Sequence, residues 1–97
     1  MNIEEKIISL LAQKQKTLAT VESCTGGLLA SRLTGVSGAS EVFKLGLIVY
    51  SNDAKTQLAG VKRNLLQTKG AVSEDVAVAL AQGTRKQYGT DFAIGIT

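Results

Sequence analysis

The sequence predicts an α/β fold with three layers, in which helices cover both faces of a mostly parallel sheet of about three strands. Two observations lead to this prediction. Segments with apolar residues at helical spacing alternate along the 97-residue chain with short runs of β-branched and apolar residues, which is typical of parallel pairing in a layered fold. The chain also ends on a predicted strand, and three strands make a narrow sheet. We therefore expect a single domain over residues 1–97 that lacks its C-terminal part.

The first half of the chain contains a predicted helix at residues 2–15 and a predicted strand from Thr17 to Val21. Asn2 can cap the start of this helix, and Glu5 completes a pattern like a capping box. The strand is β-branched and apolar enough to be short and buried. A second helix is predicted after Gly27, and its apolar positions are Leu28, Leu29, Leu33 and Val36.

The second half begins with a predicted strand from Leu45 to Tyr50, whose composition indicates burial on both faces. A short helical region is predicted from Ser51 through Leu66. Ser73 is expected to cap a third long helix, because its hydroxyl can accept a hydrogen bond from a free N–H group there. Residues 91–97 are predicted to form the last strand.

The composition excludes several classes of site. The chain has no His and one Cys, which rules out a Ser-His-Asp triad, a Cys-His pair, a His-ligated metal and a Cys-cluster zinc site. We expect neither a metal nor a cofactor. Any general base must be Lys, Asp, Glu or Tyr.

The charge pattern favours a small anionic ligand over nucleic acid. The net charge is +3, but the basic residues are scattered and the few aromatic residues do not interleave with them as a stacking platform would. The apolar stretches are shorter than the roughly 20 residues of a membrane span. The N-terminus is acidic at Glu4 and Glu5 and lacks the order of a signal peptide. Together with the single Cys, these features predict a cytoplasmic protein that binds neither membrane nor specific nucleic acid.

Two segments lie at the carboxyl ends of predicted strands, which is where open α/β sheets bind ligands. Residues 22–27 follow the first strand, and residues 50–55 follow the second. If the two strands are parallel neighbours, both segments share one edge of the sheet. The side chains that then face a common pocket are those of Ser23, Thr25, Tyr50 and Lys55.

The first segment combines hydroxyls and a thiol with paired glycines at a helix start. Glycines let a ligand approach the backbone closely, and free N–H groups at a helix start attract an oxyanion or a phosphate. The alternative is a structural turn in which Ser23 or Thr25 caps the helix and Gly26 and Gly27 serve close packing. Cys24 is a rival nucleophile, and its alternative role is that of a small packing residue.

The second segment offers a base for Ser23. Lys55 is expected near the positive end of a helix, where the neutral amine is favoured. A neutral Lys55 can take the Ser23 proton, as His does in other hydrolases, and Tyr50 can relay that proton or orient the amine. The alternative is a solvated surface lysine beside a tyrosine at the sheet edge.

These segments resemble the CinA C-terminal domain family, a bacterial family whose enzymatic members are nicotinamide-nucleotide amidases. The resemblance is carried by a Glu-Ser-Cys-Thr-Gly-Gly block at residues 22–27 and a Tyr-Ser-Asn-x-x-Lys block at residues 50–55. It covers nearly the whole chain. Further matching segments are Arg32-Leu33-Thr34, Gly38-Ala39-Ser40 and Gly70-Ala71-Val72-Ser73-Glu74.

The resemblance implies hydrolysis of the carboxamide of nicotinamide mononucleotide to nicotinate mononucleotide and ammonia, a step of NAD salvage, without a metal. It implies a Ser nucleophile, a Lys base and an assisting Tyr, which correspond to Ser23, Lys55 and Tyr50. Family members continue past the strand that ends this chain, so the resemblance also implies an incomplete domain. Substrate and oxyanion contacts are then expected from Thr25, Gly26, Gly27 and Asn52.

The alternative function is that of a non-catalytic, truncated module linked to competence or the response to DNA damage, as the family's name suggests. Such a module would bind a nucleotide or associate with itself. An unpaired sheet edge favours pairing with another chain, so we expect a homo-oligomer, in the simplest case a dimer.

Overall fold

The computed structural model describes residues 1–97 and contains five α-helices, one short 3-10 helix and three β-strands. None of the helices is both long enough and apolar enough to cross a membrane. In chain order the elements are α1 (Ile3–Lys14), β1 (Leu18–Glu22), α2 (Leu28–Thr34), the 3-10 helix (Ala39–Glu41), β2 (Phe43–Ile48), α3 (Asn52–Ala59), α4 (Arg63–Lys69), α5 (Glu74–Tyr88) and β3 (Phe92–Ile96).

The sheet is parallel throughout, and β1 is its central strand. The strand order is β2–β1–β3. Glu22, at the end of β1, therefore lies opposite Ile48 on one side and Ile96 on the other. All five residues of β1 are buried, as expected for a central strand covered on both faces. The predicted fold, an incomplete α/β arrangement around a parallel sheet of three strands, is confirmed.

Helices cover both faces of the sheet. On one face, α1 and α2 pack over a buried cluster formed by Ile8, Leu18, Leu33, Ala39 and Val42. On the other face, α3, α4 and α5 pack over a larger cluster formed by Val21, Val49, Ala59, Val61, Leu66, Val76 and Leu80. Full burial of one such aliphatic side chain stabilises the fold by about 1.5–3 kcal/mol. Because β1 contributes to both clusters, the strand that leads into Ser23 is held from both sides.

Local sequence signals explain where the helices begin. Asn2 and Glu5 form the predicted capping box of α1: Asn2 Oδ1 accepts from the Glu5 N–H at 2.8 Å, and Glu5 Oε1 accepts from the Asn2 N–H at 3.2 Å. Ser73 caps α5, as predicted, and Ser51 caps α3. Each cap of this kind stabilises a helix by about 1 kcal/mol. The Ser51 cap fixes the start of the helix that carries Lys55.

Two regions differ from the prediction. β2 runs from Phe43 to Ile48, so it begins and ends two residues earlier than the predicted strand from Leu45 to Tyr50. Its residues alternate between half-buried and exposed. It is not buried on both faces because it is an edge strand. The helical region that follows Ser51 consists of two helices instead of one. Gly60 adopts a left-handed conformation (φ 73°) that ends α3 before α4 begins.

One flank of the sheet is uncovered. β3 pairs with β1 alone, so its outer edge is free. An apolar groove runs beside β3, between this strand and α1. It is lined by Ile7, Leu10, Leu11, Leu18, Phe92, Ala93 and Ile94.

Candidate active site

The candidate site lies at the rim, defined here as the edge of the sheet at the carboxyl ends of its strands. Two backbone hydrogen bonds join the rim segments. The Val49 N–H donates to the Glu22 carbonyl at 2.8 Å, and the Ser23 N–H donates to the Ile96 carbonyl at 2.9 Å. The turn after β1 therefore sits between the ends of both neighbouring strands. This is the location at which open α/β sheets bind ligands.

The turn from Ser23 to Gly27 depends on its two glycines. Gly26 and Gly27 have φ values of 63° and 102°, in the region that side chains other than glycine rarely adopt. A Cβ on Gly27 would also lie 3.0 Å from Ile48 Cδ1. The glycines thus let the backbone reverse between β1 and α2 while α2 stays close to β2.

Ser23 is held in this turn with its hydroxyl unengaged. Its side chain is buried, with 6% of the residue's surface exposed, and its Oγ forms no hydrogen bond within the chain. Its carbonyl accepts from the Gly26 N–H at 3.1 Å. The neighbouring Cys24 is exposed.

Glu22 is a buried carboxylate that the sequence analysis did not single out as a site residue. Its Oε1 accepts from the Thr25 hydroxyl at 2.6 Å and from the Leu29 N–H at 3.0 Å. Its Oε2 accepts from the Ala30 N–H at 3.0 Å. Burial by itself would raise the pKa of Glu22, but the hydrogen bonds from Thr25, Ala30 and Leu29, with one from Gly27, outweigh it and lower that pKa. Glu22 is therefore an anion at neutral pH, and it accepts hydrogen bonds from N–H groups in the first turn of α2.

These contacts determine which backbone donors remain in the turn. The Gly26 N–H donates to Ser23, and the Leu29 and Ala30 N–H groups donate to Glu22. The N–H groups of Cys24 and Thr25 donate to no acceptor within the chain. They are the donors in this turn that are free to meet a developing oxyanion. The sequence predicts such donors at residues 25–27, and Thr25 is the residue of that range whose N–H is free.

Lys55 lies in the first turn of α3 and is 4% exposed. Its Nζ donates to Asn52 Oδ1 at 3.4 Å, and it forms no ion pair. A buried lysine is rare unless a carboxylate pairs with it, because removing an ammonium from water is unfavourable. Lys55 is therefore not a solvated surface lysine.

Of the other predicted site residues, Asn52 is the one that is hydrogen-bonded to this lysine. Asn52 is exposed and contacts Lys55 through its side-chain oxygen. Tyr50 is 76% exposed, and its hydroxyl forms no hydrogen bond within the chain. Ser23 follows β1, and Lys55 lies in the helix that follows the neighbouring strand β2. The Ser23 hydroxyl and the Lys55 amine are not hydrogen-bonded to each other.

Other clusters of polar residues lie away from the rim. A surface depression of about 490 Å³ between α1 and α2 is lined by residues that include Glu4 and Arg32, which form an ion pair, and by neither Ser23 nor Lys55. No group of three His, Cys, Asp or Glu side chains is placed to hold a metal ion.

The whole chain can be compared with known proteins. Residues 1–97 match the family model described as the CinA C-terminal domain. The chain is 52% identical over 95 residues to a CinA-like protein of Desulfovibrio desulfuricans and 53% identical over 96 residues to a CinA-like protein of Chlorobium luteolum. These alignments cover 98% and 99% of this chain but 22% of each relative. The chain thus spans about a fifth of the length of these curated relatives.

Solved structures match the chain in fold and, in part, in sequence. A competence-damaged protein (CinA) superfamily member from Escherichia coli matches with a TM-score of 0.92 and 32% identity, over 95% of this chain and 54% of that chain. A competence/damage inducible protein from Agrobacterium tumefaciens matches with a TM-score of 0.86 and 38% identity, over 93% of this chain and 55% of that chain. The chain spans about half the length of these solved relatives.

Proposed function

This chain belongs to the CinA C-terminal domain family, and on that premise we propose that it carries the nucleophile and the base of an amidase. The proposed reaction is hydrolysis of the carboxamide of nicotinamide mononucleotide to nicotinate mononucleotide and ammonia. The proposed substrate is a small anionic nucleotide, which suits the net charge of +3. We place the reaction in the cytoplasm, where a single thiol stays reduced.

One observation carries this proposal: the buried Lys55 has no carboxylate partner and lies on the rim segment adjacent to Ser23. Burial without a counter-charge is unfavourable for the stability of the fold. Because buried lysines without a carboxylate partner are rare, this environment favours a functional role for Lys55. The chain has no His, and the Glu22 carboxylate already accepts from three donors, so Lys55 is the residue that we propose as the base.

The proposed mechanism uses two proton transfers through Lys55. The neutral amine takes the proton of the Ser23 hydroxyl while Oγ attacks the carboxamide carbon. The N–H groups of Cys24 and Thr25 stabilise the resulting oxyanion. The C–N bond then breaks, and the leaving nitrogen receives the proton from Lys55 and departs as ammonia. Water hydrolyses the acyl ester, which yields the carboxylate and regenerates the Ser23 hydroxyl.

The other predicted residues have supporting roles in this mechanism. Asn52 orients the Lys55 amine through the contact at 3.4 Å. Gly26 and Gly27 shape the turn so that a planar amide can approach Ser23. Tyr50 stands exposed at the mouth of the site, where it can contact a bound substrate or orient the amine.

The test is ammonia release from nicotinamide mononucleotide by the purified chain and by Ser23→Ala. We expect the Ser23 variant to lose at least about 10³-fold in kcat. Matched controls are Cys24→Ala, in the same turn, and Ser31→Ala, an exposed serine of α2. Both should retain activity. Loss of activity in Cys24→Ala but not in Ser23→Ala would transfer the nucleophile role to the thiol. A wild-type chain without any turnover would overturn the proposal.

A further inference from the structure

We propose that Glu22 is a positioning residue of this site, because its buried carboxylate holds the Ser23–Gly27 turn in the shape that the reaction needs. The inference rests on the proposed amidase function and extends it to a residue outside the nucleophile, the base and the oxyanion donors. Glu22 touches neither substrate nor reacting atoms in this scheme. It acts through Thr25 and through the first turn of α2.

The carboxylate connects the two ends of the turn. The backbone of Glu22 is fixed in the sheet, where its carbonyl accepts from the Val49 N–H at 2.8 Å. Its side chain reaches across to the Leu29 and Ala30 N–H groups at 3.0 Å each. The hydrogen bond of 2.6 Å from the Thr25 hydroxyl adds a contact in the middle of the turn. Ser23 therefore lies inside a segment that is fastened at its start, its centre and its end.

The chemistry of these contacts requires a carboxylate. Thr25, Leu29 and Ala30 all donate to Glu22, and both of its carboxylate oxygens accept. A glutamine of the same shape has one accepting oxygen, so its NH2 group would face either the Ala30 N–H or the pair of donors from Thr25 and Leu29. At least one buried donor would lose its partner. No Lys or Arg forms an ion pair with Glu22, so the charge is held by the turn and the helix alone.

The start of α2, a helix of seven residues, lacks a capping side chain of its own. Gly27, at the start of α2, has no side chain to cap the helix. Glu22 supplies that cap from the preceding strand. Removal of the carboxylate would therefore loosen the turn, and a displacement of about 1 Å at a nucleophile is enough to lower a rate by about 10²-fold.

The experiment compares Glu22→Gln with wild type by two measurements on the full chain. The first is amide hydrogen exchange at Leu29 and Ala30, followed by NMR, which does not depend on catalysis. We expect exchange at these amides to accelerate by at least about tenfold. The second is ammonia release from nicotinamide mononucleotide at a temperature where both proteins are fully folded. We expect kcat to fall by about 10²-fold and KM to change by less than about threefold.

The matched control is Glu74→Gln, which makes the same charge change at an exposed position in the first turn of α5. It should alter neither measurement. If Glu22→Gln does not fold, Thr25→Val removes one of the contacts to the Glu22 carboxylate and should show the same changes to a smaller extent.

The outcomes separate the two proposals. Unchanged kcat in a folded Glu22→Gln protein overturns the positioning role, even if its stability falls, because a carboxylate that only stabilises the fold leaves the turnover of folded molecules unaltered. Absence of turnover in the wild-type chain overturns the amidase proposal instead. Hydrogen exchange then decides alone whether Glu22 holds the turn.

Discussion

At the scale of single residues, Lys55 has the environment that departs furthest from what its side chain prefers. It is 4% exposed, and one long hydrogen bond to Asn52 is its polar contact. An ammonium in such a place loses hydration that one amide oxygen does not replace. The fold therefore tolerates an unfavourable residue at the rim. Sites of this kind are typical of functional groups, for which stability and activity oppose each other.

This opposition predicts the behaviour of Lys55→Met, in which the aliphatic stem is kept and the amine is removed. We expect the variant to lose the proposed amidase activity while its thermal midpoint stays equal to that of wild type or rises. Thermal unfolding followed by circular dichroism, together with ammonia release, measures both effects. Lys62→Met, at an exposed position before α4, is the matched control and should retain activity. A clear fall in the midpoint of Lys55→Met would show that the amine stabilises the fold.

Asp91 joins the starts of β1 and β3. Its Oδ2 accepts from the Thr17 N–H at 2.8 Å and from the Thr17 hydroxyl at 3.0 Å, and the Asp91 N–H donates back to that hydroxyl at 3.0 Å. The backbone hydrogen bond from Thr17, followed by the side-chain one, lowers the pKa of Asp91. The pKa of Glu22 is lowered as well.

Both shifts predict loss of stability in acid. A group whose pKa is lower in the folded than in the unfolded state stabilises the fold above its ordinary pKa, near 4, and this contribution disappears as the pH falls through the lowered value. We expect Asp91→Asn to reduce the free energy of unfolding at pH 7. We also expect the free energy of unfolding of this variant to decrease less than that of wild type between about pH 5 and pH 2. Urea unfolding at several pH values measures this. Asn64→Ala, at an exposed position of α4, is the control and should leave the acid dependence unchanged.

At the scale of elements, the contact between α5 and the end of α3 leaves the least room for an added side chain. Gly83 of α5 faces the backbone of Ala59, and a Cβ at position 83 would lie 1.8 Å from the Ala59 carbonyl oxygen. That atom is backbone and cannot rotate away as a side chain can. The helices would have to separate. The same helix α3 carries Lys55, four residues before Ala59.

We therefore expect Gly83→Ala to destabilise the chain by about 3 kcal/mol, at the upper end of the cost of overpacking, despite the better helix propensity of alanine. Urea unfolding measures the change in the free energy of unfolding. The adjacent Gln82→Ala, at an exposed position of the same helix, should change stability by less than about 0.5 kcal/mol. Equal stability of the two variants would contradict the close approach of the helices.

At the scale of the whole molecule, the uncovered flank beside β3 is the main feature that the layers leave open. The Phe92 N–H donates to the Thr17 carbonyl and the Ile96 carbonyl accepts from the Ser23 N–H. By the alternation of a parallel ladder, the backbone groups of Ala93 and Gly95 point to the free edge. Phe92 and Ile94 are 52% and 38% exposed in the apolar groove beside that edge. Free backbone groups next to apolar surface favour pairing with another strand.

We propose that a second copy of this chain covers this flank. Light scattering coupled to gel filtration should then give the mass of a dimer. Ile94→Lys should weaken the dimer by at least about tenfold, because it places a charge in the buried contact of each copy. Val78→Lys, on α5 and 47% exposed, is the control and should leave the dimer intact. A monomer at all concentrations tested would contradict the proposal.

The sequence alone predicts most of the fold and part of the site. The alternating elements, the capping roles of Asn2 and Ser73 and the position of two polar segments beyond strand ends follow from periodicity and turn chemistry, which are local. The glycines of the turn are also local signals, since positive φ values require them. The assignment of Ser23, Lys55 and Tyr50 to one reaction remains a prediction.

Three features of the molecule could not be predicted from the sequence, because they depend on contacts between residues that are distant in the chain. The carboxylate of Glu22 can be recognised as the cap of α2 only from the structure, in which the helix starts beside it, six residues further along the chain. The burial of Lys55 depends on what packs against α3, and no pattern of neighbouring residues in the sequence reports it. The edge position of β2 likewise follows from the strand order, which pairs β1 with a strand more than 70 residues away. Periodicity reports which face of an element is apolar, whereas burial and hydrogen-bond partners depend on what lies opposite that face.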